Sequence, residues 1–150
     1  MTATAHALIG VAIAAVVRDP LIAIPVALLS HVPCDLMPHW DAGTHFEKKT
    51  GGQLFGEGLI DVIISYIAAV VVLIFFFPEV SIFYGLVIAF SAQFLDWITA
   101  PYYMFHIHIQ PFTAMFRFQK KINYRMDKPW GVLTQASTAI ILLILAKLLS

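Results

Sequence analysis

Residues 62 to 78, VIISYIAAVVVLIFFFP, carry no charged side chain, and GVLTQASTAIILLILAK at 131 to 147 carries none before its final lysine. The hydrocarbon core of a bilayer takes roughly 20 mostly apolar residues per helix, so these runs point to helices that cross a membrane. Three more stretches read the same way, and the predicted spans are residues 2 to 17, 20 to 38, 58 to 78, 80 to 100 and 129 to 148. Arg18-Asp19-Pro20 and Pro78-Glu79 make tight turns between neighbours, proline being well placed to open a helix. The composition agrees: 60% of the 150 residues are hydrophobic and 12% are charged, against about 25% charged in a soluble domain. The expectation is an all-α bundle of about five transmembrane helices forming one domain, residues 1 to 150. The opening run MTATAHALIGVAIAAVV has no basic residues ahead of it, whereas a cleaved signal peptide does, so it reads as a retained helix.

The two long connections, residues 40 to 56 and 101 to 128, hold Lys48, Lys49, Arg117, Lys120, Lys121, Arg125 and Lys128, while the other end keeps Arg18 and Lys147. Basic residues accumulate on the cytoplasmic side of a membrane, which predicts cytoplasmic long loops. The second loop is aromatic as well as basic and reads as an interfacial segment against anionic lipid before the last helix. A net charge of zero gives no reason to expect a nucleic-acid partner. The single Cys34 excludes an intramolecular disulfide and a multi-cysteine zinc cluster; it reads as a small buried residue.

On that topology the scarce ionisable groups fall at one depth. His6 starts the first helix, SHVPCDLMPHWD brings His31, Asp35, His39 and Asp41 to the end of the second, Glu57 and Asp61 open the third, and Asp96 closes the fourth. His31, Asp35 and His39 are spaced i, i+4, i+8 along one helical face, and Pro38 is expected to end the helix so that His39 and Asp41 turn back. Carboxylates near hydrocarbon are costly unless paired or coordinated, and several together repel. A divalent cation relieves both, and an imidazole and carboxylate set suits zinc, or manganese or iron. The expected ligands are His6, His31, Asp35, His39 and Asp41, with Asp35, Asp61 or Asp96 as general base for a bound water. The plainer alternative is that these side chains only hydrogen-bond between helices. His45 reads as a solvated loop residue, His106 and His108 as interfacial side chains, and Glu57 as favouring a helix N-terminus.

TAHALIG, LLSHVPCDLMPHWD, Asp61 and FLDWITAP form an ordered set that resembles the YdjM-like group of bacterial inner-membrane metal-dependent hydrolases. Members begin with a T-x-x-H-x-x-x-G type segment and carry an acidic motif of the L-P-D-x-D-H kind. LMPHWD looks like a variant of it, with His39 for the first aspartate and Asp41 matching the second, and SHVPCD resembles the group's S-H-x-x-x-D pattern. The group's H-R-x-x-T-H-S motif is absent, with only His45 in the corresponding loop. Where small relatives are expected to carry paired histidines before the last helix, FQKKINY offers Gln119 and Asn123. The resemblance implies a hydrolase of the bacterial inner membrane. At the cytoplasmic headgroup level the accessible esters are those of phospholipids or lipid-linked phosphates; Lys120, Lys121 and Arg125 read first as ordinary positive-inside anchors, with steering of a phosphate group as the alternative. A different class stays open beside it, a metal- or proton-binding module of a transport or assembly system. The one-sided clustering, with only Ser65, Tyr66 and Ser91 deeper in, favours a site over a channel.

Overall fold

A computed structural model describes residues 1–150. It is all-helical: α1 Ala3–Val16, α2 Pro20–Leu36, α3 Gly51–Phe76, α4 Ile82–Phe105, α5 Phe112–Ile122 and α6 Trp130–Leu149, with a short 3-10 turn at Phe46–Lys48. Helices α3, α4 and α6, of 26, 24 and 20 residues, are long and apolar enough to cross a membrane. Helices α1 and α2, at 14 and 17 residues, are apolar but shorter. At about 1.5 Å per residue each falls short of a bilayer core of roughly 30 Å.

The short α1 is the hub, packed against α2, α3, α4 and α6. Its residues Ala5, Ala7, Gly10, Ala12, Ala14 and Ala15 are all buried. Small side chains let helix backbones approach closely, and Gly10 lies against Ala89 of α4, where an added Cβ would stand 2.6 Å from the Ala89 Cα. Helix α4 is built of the same material, with Ala89 and Ala92 buried and Gly85 lying against Leu73 of α3. The large apolar side chains point outward instead: Leu21 and Leu29 on α2, Ile60, Ile67 and Phe75 on α3, and Ile140 and Leu148 on α6 are exposed. Such a surface suits lipid; in water it would be an aggregation hazard.

The helix ends follow local chemistry. Asp19 caps α2, accepting from Leu21 N at 2.9 Å, with Pro20 in the first turn. Thr50 and Gln53 form a capping box that starts α3 at Gly51, upstream of the expected start near residue 58. Asp61 therefore lies within α3 instead of opening it. Helix α4 likewise continues through Pro101 to Phe105, so Asp96 stands well inside it. His106 ends α4 in the left-handed region at φ 53°.

Candidate metal centre

Pro38 holds the residue before it in extended backbone, and α2 stops at Leu36 with Met37 at ψ 144°. The chain then turns back, and the segment after α5 pairs with it. Tyr124 N donates to Asp35 O at 2.9 Å, His39 N to Tyr124 O at 3.1 Å, and Met126 N to His39 O at 2.7 Å. This short bridge fixes the His39 ring above Asp35 and brings Asn123 and Arg125, more than eighty residues away in sequence, beside Asp41.

Three imidazoles surround the Asp35 carboxylate. His6 Nε2 lies 3.3 Å from Oδ1, His31 Nε2 3.2 Å from Oδ2 and His39 Nε2 3.9 Å from Oδ1. All four side chains are fully buried. The His6 and His31 rings stack in parallel, centroids 4.0 Å apart. Two imidazolium ions would repel in that position, so at least one ring is neutral. Asp96 closes the ring, its Oδ1 3.4 Å from His31 Nε2 and its Oδ2 4.0 Å from His6 Nε2. One ligand atom each from His6, His31 and Asp96 lies within 4.8 Å of the other two.

Ring orientation carries further information. His31 Nδ1 faces the Ala92 carbonyl at 2.8 Å and His39 Nδ1 faces the Met37 carbonyl at 2.8 Å. A carbonyl only accepts, so each Nδ1 carries a proton and, in the neutral ring, each Nε2 presents a lone pair. Those lone pairs look towards carboxylate oxygens. His39 Nε2 and Asp35 Oδ2 are buried without a hydrogen bond, as is His6 Nδ1. Lone pairs converging in a buried place call for a cation or extra protons between them. Backbone carbonyls that orient histidines in this way are the usual outer support of a metal site. Imidazole nitrogen and carboxylate oxygen are donors of the kind that divalent cations accept. Cys34 takes no part; it is buried with Met1, Ala5 and Ile9.

The remaining expected residues have other engagements. Asp41 is 3.6 Å from His39 Nε2, yet Arg125 Nε donates to both its oxygens at 3.0 and 3.1 Å. Burial opposes the Asp41 charge, but the His39 ring and the Arg125 guanidinium outweigh it and hold the carboxyl well below the usual carboxylate range. Arg125 is correspondingly raised: burial works against its charge, and Asp41 more than compensates. Asp61 takes the N-terminus of α1, accepting from Ala3 N at 2.6 Å, Thr4 N at 3.2 Å and Thr4 Oγ1 at 2.8 Å. Together with Gln135 of α6, which accepts from Thr2 N at 3.1 Å, it fixes the helix end that presents His6. The Met1 amino group also contacts Asp35.

His45 pairs with Asp127 on the surface, both side chains more than half exposed. His106 and His108 are exposed and stand apart from the cluster. Glu57 pairs with Lys49 at 2.6 Å. Gln119 and Asn123 do reach the site. Gln119 Nε2 donates to Asp96 Oδ1 at 2.9 Å and lies 3.2 Å from His31 Nε2; Asn123 Nδ2 donates to Asp41 Oδ2 at 3.5 Å. Of the three basic residues that could steer a phosphate, Arg125 alone is part-buried at the site; Lys120 and Lys121 are exposed.

Sequence reasoning passed over Gln93. Its Nε2 donates to Ala3 O at 2.9 Å and Ser65 Oγ at 3.0 Å, tying α4 to α1 and α3, while its Oε1 is buried without a partner. The signal was available, since an amide three residues before Asp96 in an apolar helix shares its face.

Comparison with protein-family models, with curated proteins and with solved structures finds no match.

Proposed function

We propose that the chain is a membrane-embedded metal-dependent hydrolase acting on an ester at headgroup level, with zinc as the first choice of ion. The observation that carries this reading is the aim of three Nε2 atoms, from α1, α2 and the turn after α2, at one buried carboxylate. His6, His31, His39 and Asp35 would hold the ion. A bound divalent ion supplies Lewis acidity and brings the pKa of a water towards neutrality. Asp96 is the base in this reading, because it adjoins the imidazoles, is 39% exposed, and borders the cavity beside them. Hydrolysis of a phosphate ester joins the water oxygen to phosphorus and breaks the P–O ester bond. The water proton passes through Asp96 to the leaving alkoxide, giving an alcohol and phosphate. The motif resemblance to the YdjM-like group supports the same assignment and the bacterial inner membrane as its location.

A second reading, a metal- or proton-binding module without catalysis, draws on one observation. Gln119 on Asp96 and the Met1 amino group on Asp35 meet the carboxylates without any ion. Elemental analysis of the purified protein separates the two. The hydrolase reading expects about one zinc, manganese or iron per chain, a loss of most of it in His31→Ala, and ester hydrolysis that a chelator removes and added metal restores. Protein free of metal after purification and after incubation with each of the three ions would sink it. Metal without hydrolysis of any lipid or water-soluble ester would leave the binding module.

In this reading α1 and α2 complete a five-helix membrane domain, α1 being short because protein surrounds it, and the site end faces the cytoplasm. Seven of the nine lysines and arginines sit at that end, in the two long connections. Single cysteines at Lys48 and Lys121 should react with a membrane-impermeant maleimide only after the cells are opened. The buried Cys34 keeps the background low. Labelling of both positions in intact cells would reverse the orientation.

A further inference from the structure

Asp96, which adjoins the imidazoles of His6 and His31, borders a cavity of about 210 Å3 between α3, α4, the turn at residues 41–43 and the end of α5. Its two ends differ in chemistry. The inner end carries Gln93, Asp96, Asn123 and Arg125; the outer end carries Phe55 and Leu59 of α3 and Trp97 of α4. Those three side chains are 44%, 46% and 40% exposed. They belong to helices long enough to span a membrane, so the rim opens sideways onto the surface that faces lipid. A water-soluble substrate would have to cross that apolar rim, whereas a molecule already in the bilayer meets it directly.

The inner end has unspent hydrogen-bonding capacity. Arg125 uses Nε on Asp41 and Nη2 on the Tyr103 hydroxyl at 3.2 Å, and its Nη1 makes no hydrogen bond to the protein. Gln93 Oε1 and Asn123 Oδ1 are buried acceptors without partners, and Gln93 is 1% exposed. A guanidinium offers paired donors to phosphate oxygens, and the two free acceptors suit the hydroxyl of a phosphate monoester or of the alcohol next to it. The Asp41 pair holds the guanidinium in place, so its charge is positioned before a ligand arrives.

We propose that this cavity receives the phosphate end of a membrane amphiphile, which enters sideways between α3 and α4 with its chain against Phe55, Leu59 and Trp97 and its phosphate on Arg125 beside the metal cluster. The proposal rests on the hydrolase reading for the metal and narrows the ester to a phosphate carried on an apolar chain. The inward-facing amides then recognise hydroxyl groups at the phosphate, and the apolar rim selects against soluble phosphate esters.

Gly58 provides a way to close the entrance. It borders the cavity, and a Cβ there would meet only the mobile end of the Met104 side chain, at 2.8 Å. A leucine at this position fits the helix and fills the opening. Binding is measured on metal-loaded protein in nanodiscs, the metal content of each sample being checked, with dodecyl phosphate, dodecanol and inorganic phosphate as probes. Dodecyl phosphate should bind at least tenfold more tightly than either of the others. Gly58→Leu should weaken it at least tenfold, and so should Arg125→Gln, with Arg125→Lys in between. A dodecyl phosphate bearing a diazirine on its chain should label α3 and α4 around Leu59 and Trp97 in the unmutated protein, which tests the route even if the arginine variants do not fold. Equal binding of dodecanol would remove the phosphate from the proposal, and equal binding of inorganic phosphate would remove the chain. Labelling confined to α2 or α6 would overturn the route. Any of these results in protein that carries its metal overturns this inference and leaves the hydrolase reading standing; protein that never takes up metal overturns that reading first.

Discussion

Asp35→Asn should leave the protein without bound metal and less stable by about 3–5 kcal/mol, the usual cost of removing one partner from a buried ionic group. The substitution keeps the size of the side chain and most of its packing, so charge is what it tests. Three imidazole Nε2 atoms stand within 3.2 to 3.9 Å of the Asp35 oxygens, and none of the four residues is open to solvent. An amide oxygen is a poorer ligand than a carboxylate, and its NH2 group would point donors where a cation has to sit. Metal binding and folding are linked when ligands come from separate helices, so the two losses should appear together. The measurement is metal content by elemental analysis alongside thermal unfolding in detergent. Unchanged metal content and an unchanged melting temperature would mean that the cluster is a neutral hydrogen-bond network, in which Asn serves as well as Asp.

Gly10→Val should also be strongly damaging, although Gly10 touches none of the ionisable residues. A Cβ at this position stands 2.6 Å from Ala89 Cα and 2.9 Å from the Ile88 carbonyl oxygen. Both obstacles are backbone, so no rotamer change makes room and the helices must move apart. Overpacking of a core costs about 1–3 kcal/mol, occasionally more; a contact between two backbones belongs at the upper end, and a β-branched residue adds to it. Helix α1 also carries His6, one turn away from Gly10, and α4 carries Asp96. Separation of the two helices should therefore lower metal content as well as melting temperature. Gly10→Ala should show the same two effects more weakly. Gly52→Ala is the control, because a Cβ there meets nothing within 4 Å, and it should leave metal content and stability within about 0.5 kcal/mol of the parent. Full metal content in a destabilised Gly10→Val would show that His6 and Asp96 are positioned independently of the α1–α4 contact.

The part of the site that sequence made legible is the part written in local spacing. His31, Asp35 and His39 recur every four residues, and Pro38 has an unambiguous effect on the residue before it, so their meeting could be read from one segment. The long apolar runs of α3 and α6 were equally plain, because length and hydropathy suffice to recognise them. The start of α3 was harder, since Gly51, Gly52 and Gly56 fell in the expected loop of residues 40 to 56, and the Thr50–Gln53 capping box was the signal against that. The employment of Asp61 depends on which helix end lies opposite it, a matter of tertiary packing. The same holds for Arg125, which finds Asp41 only because residues 124 to 126 pair with the turn after α2. No local pattern carries such a pairing. Nor did the shortness of α1 and α2 show in the apolar runs, which continue past the residues that take helical geometry.

The placement of α1 has a bearing on how the chain is put together during synthesis. Helix α1 is made before α2, α3, α4 and α6, which pack around it, and its end is held by Asp61 and Gln135, the latter 133 residues further along the chain from Thr2. Contacts so distant in sequence form late and slow folding. Until α6 has emerged, the end of α1 that presents His6 lacks its Gln135 contact and can hold only a provisional position. The assembled order of the bundle is therefore not its order of manufacture. Helix α6 completes the environment of α1, and a competent site can appear only once α6 has been made.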